Sequence, residues 1–252
     1  MDFQQLHKEK APLLICNVWD VQSARIAQNL GFDVIGTSSG AIASMLGYQD
    51  GEEISFPEVS YLVERITKSV DLPLTVDLEA GYSRNPDEII SNIKALSDLG
   101  IQGINIEDSL VDEIRSLVDT EAFSRALEKV SSGLAHSHSH IFLNVRTDTF
   151  LLGIADPIKE TIKRAKLYQD AGADGMFVPC IEREKDISEV IAEIQLPLNV
   201  MCMPSLPDFP TLQKLGVSRI SMGNFVFNKM GEQLQSTLSQ IQEEQSFQSL
   251  FS

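Results

Sequence analysis

The chain has 252 residues, of which 43% are hydrophobic, with 15 glycines and 10 prolines, and this excludes both a disordered chain and a small disulfide-stapled scaffold. Its 36 acidic and 20 basic side chains give a net charge of −16, which repels nucleic-acid phosphates and anionic lipid surfaces. We therefore expect no nucleic-acid partner and no membrane association. Three cysteines in apolar runs (Cys16, Cys180 and Cys202) and a polar first decapeptide predict a soluble protein of the reducing cytoplasm.

A recurring junction organises the chain: a helical pattern ends on an apolar residue and a glycine, and a β-rich run follows. Glycine is favoured just past a helix end because it adopts the left-handed conformation without a Cβ clash. The junctions are Leu30-Gly31, Leu99-Gly100, Ala171-Gly172 and Leu215-Gly216. They predict eight strands near 13–19, 33–39, 72–79, 103–108, 141–148, 175–180, 197–203 and 219–224. Helices are predicted between them, for example over 86–99 and 157–171.

Several of these strands are continuously apolar, as in Leu13-Leu14-Ile15-Cys16, which is typical of a parallel sheet covered on both faces. Eight strands in about 250 residues favour a single TIM-type (β/α)8 barrel over an open doubly wound sheet. We predict one domain over residues 1–252, with a C-terminal helix and tail over 225–252. An apolar stripe on that helix (Leu234, Leu238 and Ile241) could cover its own barrel or a neighbouring copy.

Charged residues occur on the inward face at the carboxyl ends of three neighbouring strands. Residues two apart on a strand share a face, so Asp77 lies with Glu79, and Asn105 with Glu107. The fifth strand adds Asn144, Arg146 and Asp148. Active sites of TIM barrels lie at this end of the strands, whereas the interior is normally filled by branched apolar residues. These side chains are therefore candidates for a functional site.

Buried carboxylates are costly unless they are paired or bound to a cation. Mg²⁺ keeps several waters, so one acid could bind the ion directly while two others hold its waters. The alternative is an internal ion-pair network of Arg146 with Asp77 or Glu107 that only stabilises the barrel. The position at the carboxyl face favours the metal site.

The segment after the second strand, Thr37-Ser38-Ser39-Gly40, offers hydroxyls and backbone amides that could approach an anion, although such clusters are often turns. After the first strand, Asp20 is expected to cap a helix over 21–30. The neighbouring Trp19 could line a pocket or simply pack.

In chain order, the motifs resemble the isocitrate lyase and phosphoenolpyruvate mutase superfamily. They are Asn17-Val18-Trp19-Asp20, Gly36-Thr37-Ser38-Ser39-Gly40, Leu46-Gly47-Tyr48-Gln49-Asp50-Gly51, Asp77-Leu78-Glu79-Ala80-Gly81-Tyr82, Gly103-Ile104-Asn105-Ile106-Glu107-Asp108 and Asn144-Val145-Arg146-Thr147-Asp148. The resemblance implies a barrel enzyme that uses Mg²⁺, or Mn²⁺, to bind a 2-oxo acid and to stabilise an enolate. It also implies a homotetramer formed by exchange of the eighth helix.

The resemblance assigns roles to individual residues. Asp77 matches the metal-coordinating acid, and Glu79 and Glu107 match the acids that hold its waters. Asp50 matches an acid near the metal, and we count it with Arg146 as catalytic. The substrate-binding set implied by the resemblance comprises Trp19, Ser38, Ser39, Gly40, Arg146 and Asn199.

The segment after the fourth strand departs from the superfamily pattern. Isocitrate and methylisocitrate lyases carry a Lys-Lys-Cys-Gly-His loop there, whose Cys acts as the acid. Residues 109–116 contain no Cys, Lys or His. Phosphonate-handling members use a Lys and an Asn in this loop, and only Arg115 is available here. A phosphonate clamp would need Arg115 to face the pocket.

Decarboxylation of a 2-oxo acid such as oxaloacetate needs neither a Cys acid nor a phosphonate clamp in this segment, because the metal stabilises the enolate. We therefore predict a Mg²⁺-dependent carbon–carbon lyase acting on a small carboxylate. The alternatives are a phosphonopyruvate hydrolase or phosphoenolpyruvate mutase, and a barrel that binds a carboxylate without turning it over.

Three other features are set aside. A Schiff-base aldolase needs an inward lysine on a strand, and every lysine falls in a predicted helix or loop. His136, His138 and His140 precede the fifth strand at the amino end of the barrel, so we interpret them as a solvated loop rather than a zinc site. Cys180 is interpreted as a small packing residue.

Overall fold

The computed structural model describes residues 3–135 and 141–251, in which ten strands and ten α-helices are found. The strands are β1 (Leu13–Val18), β2 (Val34–Thr37), β3 (Leu74–Asp77), β4 (Gly103–Glu107), β5 (Ser109–Val111), β6 (Arg115–Leu117), β7 (Phe142–Arg146), β8 (Gly175–Val178), β9 (Leu198–Met201) and β10 (Arg219–Ser221). The helices are α1 (Phe3–Leu6), α2 (Val21–Asn29), α3 (Ser39–Leu46), α4 (Phe56–Thr67), α5 (Pro86–Asp98), α6 (Thr120–Ala135), α7 (Pro157–Asp170), α8 (Glu184–Glu193), α9 (Phe209–Leu215) and α10 (Phe225–Glu244). A 3-10 turn follows at Gln248–Leu250.

Eight of the strands close into a parallel barrel in the order β1-β10-β9-β8-β7-β4-β3-β2. This confirms the predicted TIM-type fold, and each barrel strand lies within a predicted strand region. The remaining two strands, β5 and β6, pair antiparallel in a hairpin directly after β4. This hairpin was not predicted, because three-residue strands are too short to show a periodicity in the sequence.

The helix boundaries follow the local signals. Asp20 caps α2 with a reciprocal capping box to Ser23, and α5 and α7 begin at Pro86 and Pro157. At the end of α9, Gly216 takes φ +89°, the left-handed conformation predicted for the junctions. In the described ranges, no helix combines the length and the apolar character needed to cross a bilayer.

Apolar residues pack mainly between the sheet and the helices. Val76 and Leu78 are completely buried there, as the alternation along the third strand predicts. A smaller apolar cluster comprises Phe3, Leu13, Ile15, Val34 and Phe142. The barrel also contains buried polar side chains joined by hydrogen bonds, namely Asn105, Asn144, Asn199 and Arg219.

The last helix, α10, differs from the others because none of its 20 residues is buried. Its exposed apolar side chains recur every four residues and form a stripe along one face, which we call the α10 stripe: Val226, Met230, Leu234 and Leu238. The predicted helix is thus present, and its apolar face is left largely open in the single chain.

Candidate active site

A cavity of about 230 Å³ opens at the carboxyl ends of the barrel strands. The polar part of its lining comprises Asn17, Ser38, Ser39, Asp50, Asp77, Asn105, Arg115, Arg146, Ser221 and Asn224. Its apolar part comprises Leu151, Phe177, Pro179 and Met201, with Gly40 and Gly223 completing the wall. This is the end of the barrel at which the sequence predicted a site.

Asp77, the last residue of β3, is held by both of its carboxylate oxygens. Oδ2 accepts hydrogen bonds from the Ser39 hydroxyl at 2.8 Å and the Ser39 amide at 3.4 Å, while Oδ1 accepts one from Asn105 Nδ2 at 3.2 Å. Its own backbone amide donates to Thr37 Oγ1 at 2.8 Å. The carboxylate is therefore fixed in orientation at the floor of the cavity.

The segment after β2 is the beginning of a helix and not the turn that its composition suggests. Ser38 caps α3, and its hydroxyl accepts a hydrogen bond from the Ala41 amide. Ser39 and Gly40 form the first turn and line the cavity. Because the first amides of a helix lack intrahelical acceptors and carry the positive end of its dipole, this turn suits the binding of a carboxylate.

Glu79 lies two residues beyond Asp77, where the strand has already ended. It adopts φ +54° and is 3% exposed, and its Oε2 has no hydrogen-bond partner among the described residues. Burial, reinforced by Glu107, Asp77 and Asp50, raises the pKa of Glu79 well above its usual range. A left-handed backbone conformation is strained in a residue other than glycine, and such strain is common at functional sites.

Two arginines from different elements meet the acids on the other side of the cluster. Arg146 Nη1 lies 3.0 Å from Glu107 Oε2, and its Nε donates to Asp148 at 2.7 Å. Arg115, on the hairpin strand β6, contacts Glu107 and lies 3.0 Å from Asp148. Burial still raises the pKa of Glu107 to about 7, outweighing both arginines.

The loop between α3 and α4 brings Asp50 to the cavity, as predicted. Its Oδ2 lies 3.7 Å from Arg115 Nη2, and its side chain is half-exposed. The sequence left open whether Arg115, in the segment after the fourth strand, faces the pocket. The structure places Arg115 in the cavity lining.

The donor set fits a hydrated divalent cation. Among residues 3–135 and 141–251, no three His, Cys, Asp or Glu side chains are close enough to one another to enclose an ion directly. If Asp77 bound the ion directly and Glu79 and Glu107 held its waters, the arrangement would match the preference of Mg²⁺ for retained waters. Of the two ion pairs in the alternative interpretation, Arg146 with Asp77 or with Glu107, the described residues form the pair with Glu107, whereas Asp77 is held by Ser39 and Asn105.

Two predicted substrate ligands do not line the cavity. Trp19 is buried and packs edge to face on Phe227 at 5.2 Å between ring centroids. Asn199 is buried inside the barrel, where it accepts a hydrogen bond from Asn144 and donates one to Ser221. The predicted contact of these two residues with substrate stays a prediction. The geometry does not support it, because Trp19 is packed against Phe227 and the Asn199 amide is hydrogen-bonded inside the barrel.

Other features fall outside the cavity wall or were not foreseen. Cys180 is half-buried just past β8 with φ +64°, and burial raises the pKa of its thiol. His136, His138 and His140 lie outside the described residues.

Sequence reasoning missed the cavity residue Asn17, whose Oδ1 accepts hydrogen bonds from the amides of Met222 and Gly223. The sequence signal that could have identified Asn17 is its spacing: it lies two residues after Ile15 on the same strand, so both side chains share the inward face.

Comparison with known proteins agrees with this architecture. Residues 3–242 match the phosphoenolpyruvate phosphomutase family. An uncharacterized protein of Mycobacterium tuberculosis is 34% identical over 90% of this chain and 84% of its own length. Oxaloacetate decarboxylase 1 of Pseudomonas fluorescens is 31% identical over 86% of this chain and 75% of its own. A Burkholderia cenocepacia structure with a provisional phosphonomutase assignment is 32% identical, with a TM-score of 0.88 over 94% of this chain and 97% of that one.

Proposed function

This chain belongs to the phosphoenolpyruvate phosphomutase family and shares the fold of the isocitrate lyase superfamily, and from that premise we propose that it is a Mg²⁺-dependent carbon–carbon lyase that decarboxylates oxaloacetate or a similar 2-oxo diacid. The observation that carries the proposal is the cavity itself, in which Asp77 lies with the cation Arg146 and the first turn of α3. The buried acids Glu79 and Glu107 lie behind its wall, where Glu107 contacts Arg146. The 31% identity to an oxaloacetate decarboxylase supports the same reaction.

The acids would hold the cation, Asp77 directly and Glu79 and Glu107 through its waters. Bound Mg²⁺ would supply Lewis acidity for the negative charge that develops on the 2-oxo oxygen. Mn²⁺ has the same ligand preference and is expected to substitute.

The chain's own groups orient the substrate. The amide of Gly40, in the first turn of α3, can bind the carboxylate next to the 2-oxo group, and Arg146 adds a fixed positive charge whose position Glu107 and Asp148 maintain. The bond from C3 to the leaving carboxylate breaks, CO₂ departs, and the electron pair forms the enolate. Water then returns a proton to C3, so the hairpin needs no cysteine acid.

The decisive experiment measures pyruvate formation from oxaloacetate with Mg²⁺, after subtraction of the metal-catalysed background without protein. We expect turnover that EDTA abolishes and that Asp77→Asn lowers by at least about a hundredfold, because outer groups alone cannot hold the ion. The matched control is Asp98→Asn on the exposed end of α5, which should retain wild-type activity. Metal-independent turnover, or none above background, would refute the proposal.

A second candidate is favoured by one observation, the presence of Arg115 in the cavity. A phosphonate group needs a cation at that position, so phosphonopyruvate hydrolysis or mutation is the runner-up. Phosphate release from phosphonopyruvate, or its conversion to phosphoenolpyruvate, identifies this chemistry. Calorimetric binding of oxalate with Mg²⁺ but no turnover of either substrate would instead identify a carboxylate-binding barrel.

We also propose that the α10 stripe packs against a second copy of the chain, as part of a homotetramer. Support comes from the 20-residue length of α10 and from the apolar face that the single chain leaves open. Exposed apolar stripes of this kind commonly mark protein interfaces.

A further inference from the structure

Arg219, the first residue of β10, is an arginine buried inside the barrel. It is 2% exposed, and its Nε and Nη1 have no hydrogen-bond partner among the described residues. Burial lowers its pKa to about 9, while Asp77 acts in the opposite direction, so the guanidinium is charged at neutral pH. A buried charge with two unpaired donors is costly, and the barrel tolerates it where an apolar side chain is normal.

Among residues 3–135 and 141–251, one hydrogen bond of the Arg219 side chain is found, and it leads towards the candidate site. Arg219 Nη2 donates to Asn105 Oδ1 at 3.2 Å, and Asn144 Nδ2 donates to the same oxygen at 2.9 Å. With its oxygen occupied by two donors, the Asn105 amide must present its Nδ2 to Asp77 Oδ1, 3.2 Å away. A reversed amide would place an NH₂ group against both donors and an oxygen against the carboxylate.

We propose that Arg219 is a positioning residue that fixes the Asn105 amide and, through it, the orientation of Asp77 for divalent-cation binding. The inference rests on the proposed function in that Asp77 is the acid that holds the cation directly. Arg219 does not touch the cavity, because Asn105 lies between it and Asp77. Its role is therefore to hold the hydrogen-bond direction of a side chain that does reach the site.

An alternative role for Arg219 predicts the opposite change in cation affinity when the residue is removed. If Arg219 acted only as a positive charge near the acids, its removal would strengthen cation binding, because a repulsive charge would be gone. If it acts through Asn105, its removal weakens binding, because Asp77 loses its fixed orientation. Groups that orient a metal ligand through hydrogen bonds typically contribute about 10-fold to 100-fold in affinity.

The test measures Mn²⁺ binding by calorimetry for the wild type, Arg219→Met, Arg219→Lys, Asn105→Ala and the double variant Arg219→Met/Asn105→Ala. We expect Arg219→Met to bind about 10-fold more weakly and Arg219→Lys to recover most of the loss. Because both residues act in one chain, the double variant should bind no more weakly than Asn105→Ala alone. The control Phe142→Leu alters the apolar cluster of the barrel interior and should lower the melting temperature without changing the affinity.

Unchanged or tighter Mn²⁺ binding by Arg219→Met, or additive losses in the double variant, would overturn the inference. A readout without metal separates it from the proposed function. The Asn105 side-chain amide should give one sharp pair of NMR resonances in the wild type and in Arg219→Lys, and broadened or doubled resonances in Arg219→Met. If the wild type bound no Mn²⁺, the lyase proposal would fail, and this amide comparison would still decide the role of Arg219.

Discussion

Glu107 and Arg146 face each other at the ends of the paired strands β4 and β7, with 3.0 Å between Oε2 and Nη1. The strand register places them side by side, and Arg115 reaches the same carboxylate from the hairpin. Glu79 Oε2, in contrast, has no hydrogen-bond partner among the described residues. In that part of the chain, Glu107 is paired with arginines and Glu79 is not.

Glu79→Gln should stabilise the metal-free protein at pH 8. The raised pKa of Glu79 means that the folded state favours the neutral acid, so the contribution of this group to stability is fully present below about pH 4.5 and is lost as pH rises through its folded-state pKa. In EDTA, we expect the difference in melting temperature between Glu79→Gln and the wild type to grow from pH 5 to pH 8, with the variant about 2–4 °C higher at pH 8 for each kcal/mol recovered. Thermal denaturation followed by circular dichroism measures this.

Mg²⁺ should raise the melting temperature of the wild type at pH 8 more than that of Glu79→Gln. The bound cation offsets the negative charge of the Glu79 carboxylate, and the variant lacks this charge. Glu189→Gln, on the exposed face of α8, provides the control and should behave as the wild type. A steeper loss of stability with pH in Glu79→Gln than in the wild type would contradict this interpretation of Glu79.

Gly40→Ala should weaken substrate binding without destabilising the fold. A Cβ at this position would lie 3.5 Å from both Asp50 Oδ1 and Asn224 Nδ2, which is ordinary contact, but it would occupy space at the cavity wall. We expect a KM for oxaloacetate raised about tenfold, equivalent to about 1.4 kcal/mol, with an unchanged or higher melting temperature because alanine favours helix. Gly231→Ala in α10, where a Cβ meets nothing within 4 Å, should leave KM unchanged.

Arg115→Met should discriminate between substrates with two anionic groups and those with one. Arg115 is the cavity cation contributed by the hairpin, so we expect it to bind the group farthest from the α3 turn. Loss of a charged hydrogen bond should raise the KM for oxaloacetate about 10-fold to 100-fold and leave inhibition by pyruvate nearly unchanged. Steady-state kinetics measures both, with Arg125→Met on the exposed face of α6 as control. Equal weakening of both ligands would show that Arg115 supports the fold of the site instead.

Replacing two residues of the α10 stripe with acids, Leu234→Glu/Leu238→Glu, should dissociate the proposed oligomer. Light scattering should report a multiple of 27.9 kDa for the wild type and a single chain for the variant, because buried charges without partners oppose association. Ser236→Glu, on the opposite face of α10, should keep the wild-type mass. A wild type that is already a single chain would refute the proposal.

Local patterns were sufficient for the barrel and for most of the acids. Alternation along the strands placed Asp77 and Glu107 on the inward face, and strand order predicted Arg146 nearby, because the alternation of side chains follows from sequence spacing. The register that sets Glu107 directly beside Arg146 came from the structure. The same reasoning carried Glu79 along the strand, whereas the strand ends at Asp77 and Glu79 turns to φ +54°. Its burial depends on neighbouring elements that spacing does not describe.

By itself, the sequence determined an acidic eight-stranded barrel with carboxylates at one end, since periodicity, helix-ending glycines and charge are properties of the chain in order. Only the tertiary structure decided that Arg115 enters the cavity, that Ser38 caps a helix, that Trp19 packs on Phe227 and that Arg219 contacts Asn105. Residues 219 and 105 are 114 positions apart along the chain. Their meeting depends on closure of the barrel, which joins β10 to β1 and brings distant side chains within hydrogen-bonding distance.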